Sequence, residues 1–127
     1  MNNIVIGLAS NVPEGEQRLM EAAEWLSQTF SSCRCSEIYL TDAARGATGK
    51  YFNAVAIAET DLPCSEVNAL LKDYEKSHGR TPEMKSLHIV PIDLDLVMYG
   101  GTVLRPADMA CEYFMKGYRM LALNKSK

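Results

Sequence analysis

The segment Pro91-Ile92-Asp93-Leu94-Asp95-Leu96-Val97-Met98-Tyr99-Gly100 sets two carboxylates two residues apart inside a run that is otherwise apolar. If the run is a strand, Asp93 and Asp95 project to one face while Ile92, Leu94 and Leu96 project to the other. Carboxylates held this way repel each other by roughly 3 kcal/mol, taking ~6 Å and an effective dielectric of ~20. A divalent cation carrying phosphate oxygens is one compensator, because Mg²⁺ takes one or two carboxylates and completes its octahedron with phosphates and water. The other reading is a strand whose second face is open to solvent, where paired aspartates are harmless.

The elements that would hold this pair follow from periodicity. Ile4-Val5-Ile6-Gly7-Leu8-Ala9 is a short apolar run that fits an interior strand, and Ser10-Asn11-Val12-Pro13-Glu14-Gly15 breaks it with turn residues. Leu19, Ala22, Ala23, Leu26 and Phe30 recur at helical spacing. Ser36 to Thr41 and Tyr51 to Thr60 are strand-like, separated by the small, Gly-containing segment 42–50. Such a segment packs loosely and reads as mobile. Pro63-Cys64-Ser65-Glu66 opens a second helix with the stripe Val67, Leu70, Leu71 and Tyr74, and Gly79 is placed to end it. A second flexible stretch, 80–88, leads into the aspartate strand. Gly100-Gly101 suits a tight turn into Thr102-Val103-Leu104. Pro106 then starts a helix carrying Met109, Ala110, Tyr113 and Phe114 and ending near Gly117.

The order β-α-β-β-α-β predicts an α+β, ferredoxin-like sandwich, with two helices on one face of an antiparallel sheet and the other face left available. A short extra strand and a C-terminal helix complete it. With 127 residues, 47% hydrophobic and 23% charged, the chain reads as one domain over residues 1–127. Its net charge of −3 offers no basic footprint, which argues against nucleic acid and anionic membrane surfaces as partners and leaves the oligomeric state open. No apolar run nears the ~20 residues a bilayer span needs, and Met1-Asn2-Asn3-Ile4 lacks the charged start of a signal peptide, so the expected location is the cytoplasm. Cys33, Cys35, Cys64 and Cys111 lack the second chelating pair of a zinc site and read as buried reduced thiols.

Several stretches, taken together, resemble one family. Leu8-Ala9-Ser10-Asn11, Ile38-Tyr39-Leu40-Thr41, Tyr51-Phe52-Asn53-Ala54, the Gly79-Arg80 pair after Glu75, and Ile92-Asp93-Leu94-Asp95 followed by Tyr99-Gly100 are similar in order and spacing to the 6-hydroxymethyl-7,8-dihydropterin pyrophosphokinases of folate biosynthesis. The resemblance runs from residue 4 to about residue 105. It implies a transferase that moves pyrophosphate from ATP to the pterin hydroxymethyl oxygen and releases AMP. By the same resemblance, Asp93 and Asp95 would hold two Mg²⁺ ions, with Asp93, Asp95 and Arg80 as catalytic residues. Thr41, Tyr51, Asn53 and Tyr118 would bind the pterin, Asn53 through its amide and an aromatic ring by stacking. Arg80, Lys85 and Arg119 would hold the ATP phosphates, and the two mobile segments would close over the site.

The chain also departs from that pattern. Where the family carries W-G-P-R before its aspartate strand, this sequence has Leu87-His88-Ile89-Val90-Pro91, so Val90 stands in place of a phosphate-contacting arginine. The family's V-P-H segment has no clean counterpart between Pro106 and Leu121. His88 is either a loop residue or a substitute ATP contact, Trp25 is a packing residue on the first helix, and Met98, Met109, Met115 and Met120 fill core gaps. Two readings stand side by side: an active ATP- and Mg²⁺-dependent pyrophosphokinase, or a catalytically impaired pterin- or nucleotide-binding module of the same fold.

Overall fold

A computed structural model describes residues 1–42 and 49–125. Most of the expected mobile segment between the second and third predicted strands therefore lies outside the described residues. The first strand, β1 (Asn2–Ser10), leads through a turn into helix α1 (Gly15–Thr29), and β2 (Ser31–Cys35), β3 (Tyr39–Asp42) and β4 (Lys50–Thr60) follow. Helices α2 (Cys64–Ser77) and α3 (Pro82–Ser86) precede β5 (Asp93–Tyr99) and β6 (Thr102–Val103), and α4 (Pro106–Met109) and α5 (Glu112–Lys125) close the chain. The strands form one antiparallel sheet in the order β2-β4-β1-β5-β6, with β3 also pairing to β4. This is the α+β, ferredoxin-like arrangement that the element order predicts.

Alternation along the strands gives each face its own core. Ile4, Ile6 and Leu8 of β1 and Leu94 and Leu96 of β5 pack with Leu19, Ala22 and Leu26 of α1 and Val67 and Leu71 of α2. Val5, Val55 and Val97 point the other way and pack under Phe114 and Leu121 of α5. The second face is thus covered by the C-terminal helix over much of its length, not left available. The sequence reading underestimates α5 because it stops the helix at Gly117.

Gly117 serves a close approach instead. A Cβ there would lie 2.8 Å from Tyr39 Oη, 2.8 Å from Val55 Cγ2 and 2.9 Å from Ser36 Oγ. Its N–H donates to Tyr39 Oη (3.0 Å), and that hydroxyl donates to Tyr113 O (2.7 Å), so the missing side chain lets α5 sit directly on the sheet. Gly79, by contrast, takes the expected left-handed conformation just beyond α2, at φ +96°.

Other expectations shift in detail. Of the predicted strand 36–41 only the second half is strand, within β3, while β2 is a separate strand ending at Cys35; both are bonded to β4, with Ser36 Oγ accepting the Val55 N–H (2.9 Å) between them. The stretch 80–88 contains α3, started by Pro82 at a position where its missing N–H costs nothing. All four cysteines are free, as expected, but half-buried.

The Gly117 contact predicts its own test. Gly117→Ala should cost about 1–3 kcal/mol in urea unfolding, because neither the Tyr39 hydroxyl nor the Val55 methyl can retreat without breaking the α5 seam. Gly101→Ala, with open space around its Cβ position, should leave stability nearly unchanged.

Candidate active site

The sheet register sets Tyr39, Asn53, Ala9 and Asp93 side by side across four neighbouring strands. The adjacent row on the same face runs Val55, Gly7, Asp95. Asn53 and Asp93 are two strands apart, about 10 Å at the usual interstrand spacing. Ala9 and Gly7 carry almost no side chain, so the ground between the amide and the acids is shallow. Thr41 and Tyr51 are register partners beside this row. The structure therefore brings Thr41, Tyr51, Asn53, Asp93 and Asp95 to one face at one end of the sheet.

Asn53 is 2% exposed. Its amide nitrogen donates to Thr41 Oγ1 (2.7 Å) and Tyr51 O (3.0 Å), which leaves the carbonyl oxygen as the half of the amide not engaged by these bonds. The cavity it lines with Asp93, Asp95, Asp108, Tyr113 and Phe114 measures only about 30 Å³. Ligand pockets for compounds of pterin size run to hundreds of Å³, so a heterocycle enters here only if α4 and the start of α5 move outward.

The aspartates are compensated from within the chain. Arg80 Nη1 donates to Asp93 Oδ1 (2.7 Å) and lies 3.2 Å from Glu75 Oε1. Lys72 Nζ donates to Glu75 Oε2 (3.0 Å), Leu94 O (2.9 Å) and Asp95 Oδ1 (3.3 Å). Arg105 Nη2 stands 3.8 Å from Asp95 Oδ2, while its Nε donates to Asp108 Oδ2 (2.6 Å); the Tyr113 hydroxyl also donates to Asp108. Where the sequence suggests a divalent cation or open solvent as the compensator, the structure also sets three cations of the chain against the pair. Lys72, Glu75, Arg105, Asp108 and Tyr113 escape sequence reasoning because helix-to-strand packing brings them in. The signal available was the spacing of Lys72 to Glu75 and Arg105 to Asp108, three residues apart within a helix or at its start.

Burial and the neighbouring Asp93 charge push the Asp95 carboxyl up to about 7. Burial alone would raise Asp93 as well, but the hydrogen bond with Asp95 and the Arg80 guanidinium hold it below the usual carboxylate range. One proton is thus shared by the pair at neutral pH. Among the described residues no three His, Cys, Asp or Glu side chains converge on a metal-sized point. The donor set nonetheless fits Mg²⁺, which needs only one or two hard carboxylate oxygens from protein when phosphates supply the rest.

Beside Asp95 opens a cleft of about 500 Å³, lined by Cys64, Ser65, Asn68, Lys72, Leu96, Leu104 and Arg105. It is large enough for a nucleotide. The structure places other expected residues elsewhere. Tyr118 stacks on Phe114 and lines a groove with Asn3, Ile57 and Met98, at the far end of the sheet. Asn3 is six residues along β1 from Ala9, roughly 20 Å at the strand rise. Arg119 Nη2 is paired with Glu112 Oε1 (2.7 Å) on the outer side of α5, both side chains more than half exposed. Helical spacing turns these two away from the sheet end that carries the acids. Lys85 is exposed on α3.

The Leu8-Ala9-Ser10-Asn11 stretch has a structural duty. Asn11 Nδ2 donates to His88 O (2.6 Å), its Oδ1 accepts the Val90 N–H (2.7 Å), and its own N–H donates to Val90 O (2.9 Å). These bonds fasten the approach to β5, with His88 held at φ +55°. Residues 5–122 match the family model described as 7,8-dihydro-6-hydroxymethylpterin-pyrophosphokinase (HPPK). The chain belongs to the HPPK family. Among curated proteins no relative matches it. In this HPPK family member the matched span takes in every residue of the acid–cation cluster and of the amide row.

The shared proton makes stability depend on pH. Between about pH 4 and 7 the native chain keeps a proton on Asp95 that the unfolded chain has lost, so stability falls as pH rises through that window. In EDTA, wild type should lose on the order of 2 kcal/mol between pH 5 and 7. Asp95→Asn, which mimics the protonated form, should lack that loss in urea titrations at the two pH values.

Proposed function

We propose that this chain transfers pyrophosphate from ATP to the hydroxymethyl oxygen of 6-hydroxymethyl-7,8-dihydropterin, releasing AMP, as a Mg²⁺-dependent step of folate biosynthesis. The observation that carries the reading is the register that sets the Asn53 amide and the Asp93–Asp95 pair on one face, beside a cleft of nucleotide size. Family membership supports the reaction class and ATP as co-substrate.

In this reading Asp93 and Asp95 would hold the metal, whose chemistry there would be neutralisation of charge on the transferring phosphoryl group. Arg80 keeps Asp93 ionised and oriented. Asn53 offers its carbonyl oxygen to a ring N–H, its own N–H groups being spent on Thr41 and Tyr51, and the Tyr51 ring borders the same ground. Burial of the amide row keeps water from competing as the acceptor. A cytoplasmic location is supported by the free thiols and by the demand for ATP; no helix among the described residues is long and apolar enough to cross a membrane.

The test is AMP release from ATP and Mg²⁺ with and without hydroxymethyl-dihydropterin. Pterin-dependent AMP is expected, and Asn53→Ala should raise KM for the pterin about tenfold or more, as loss of a buried hydrogen bond does. Mg²⁺ with a non-hydrolysable ATP analogue should raise Tm in wild type and not in Asp95→Asn. Well-folded protein that shows the Tm shift but releases no pterin-dependent AMP would be a nucleotide-binding module instead, the reading that Val90 favours.

A further inference from the structure

Val90 brings no charge to the approach to β5, Lys85 is exposed on α3, and Arg119 is paired with Glu112 on the outer side of α5. Two other cations do stand beside Asp95. Lys72 and Arg105 both line the 500 Å³ cleft, with side chains 37% and 46% exposed. We propose that Lys72 and Arg105 are the polyphosphate-binding residues of this chain. The proposal rests on the reading that the cleft takes a nucleotide.

The bond lengths around each cation argue for that role. Lys72 is anchored at 3.0 Å on Glu75 and 2.9 Å on Leu94 O, and reaches Asp95 only at 3.3 Å. Arg105 is anchored at 2.6 Å on Asp108 and stands 3.8 Å from Asp95. Both anchors are buried carboxylates, Glu75 at 5% and Asp108 at 4% exposure. Each cation is therefore held by a partner out of water and only loosely engaged with the aspartate at the edge of the cleft. An anion arriving beside Asp95 meets donors that are already oriented and has only the longest contacts to displace. Arg80 is placed differently: its shortest bond, 2.7 Å, goes to Asp93 itself. Lys72 supplies a compact charge, and Arg105 a planar fork suited to two phosphate oxygens.

Inorganic tripolyphosphate with Mg²⁺, followed by isothermal titration calorimetry at fixed ionic strength, tests this without pterin or turnover. Lys72→Gln and Arg105→Gln, which keep a hydrogen-bonding side chain and lose the charge, should each weaken binding about tenfold or more, while Lys72→Arg should restore most of it. In turnover, the same Gln variants should raise KM for ATP and leave KM for the pterin within twofold. Folded Gln variants that bind tripolyphosphate as wild type does overturn the proposal, as does wild type that fails to bind it. If a variant does not fold, NMR of wild type decides: the Lys72 ammonium and Arg105 Nε resonances should shift on adding tripolyphosphate, and unmoved resonances refute the assignment. Tripolyphosphate binding without pterin-dependent AMP would remove the reaction and keep the two contacts; AMP release with unchanged KM for ATP in the variants would do the reverse.

Discussion

The Glu75 carboxylate lies almost entirely out of water, and its two oxygens are shared among the Lys72 ammonium, the Arg80 guanidinium and the Leu94 amide of β5. A lone buried carboxylate costs several kcal/mol, and only close, well-directed donors offset it. Here the donors come from the helix that carries Glu75, from the turn after it and from the strand that carries the aspartates. One side chain thus fixes the distance and register of α2 against β5. It also sets the positions of the two cations nearest to Asp93 and Asp95.

Around Asp93 and Asp95 the other charges fall into two layers. Asp93 and Asp95 occupy the sheet face, Lys72, Arg80 and Arg105 surround them, and Glu75 and Asp108 lie behind the cations. The outer acids keep the cations from collapsing fully onto the inner ones. The result is an aspartate pair whose repulsion is offset but whose oxygens are not saturated, at the price of holding one proton between them near neutrality. A site so arranged trades stability for the capacity to receive charge.

Much of this site was legible because strands have a period of two. Asp93 and Asp95 on one face, with Leu94 and Leu96 on the other, follow from alternation alone, and Asn53 falls in place once β4 is paired with β1. Gly117 reads as a helix end because glycine has two unlike uses, ending a helix and admitting a neighbour, and only the positions of Tyr39 and Val55 tell them apart. The cations near Asp95 were hidden for a different reason. Lys72 and Arg105 lie 23 and 10 residues from Asp95 in sequence, and nothing local says that α2 and the start of α4 converge there. Residue type alone makes Tyr118 and Arg119 candidates, whereas α5 carries Tyr118 to the end of the sheet away from the acids and Arg119 to its outer side.

Asn11 gives this a wider bearing. Its three bonds to the His88–Val90 backbone are what β5 needs in order to begin at the right place, whatever chemistry the strand goes on to support. A descendant of this chain could lose every phosphate contact and still be obliged to keep that asparagine. The Leu8-Ala9-Ser10-Asn11 stretch is therefore a demand of architecture, distinct from any chemistry at the acids it helps to place.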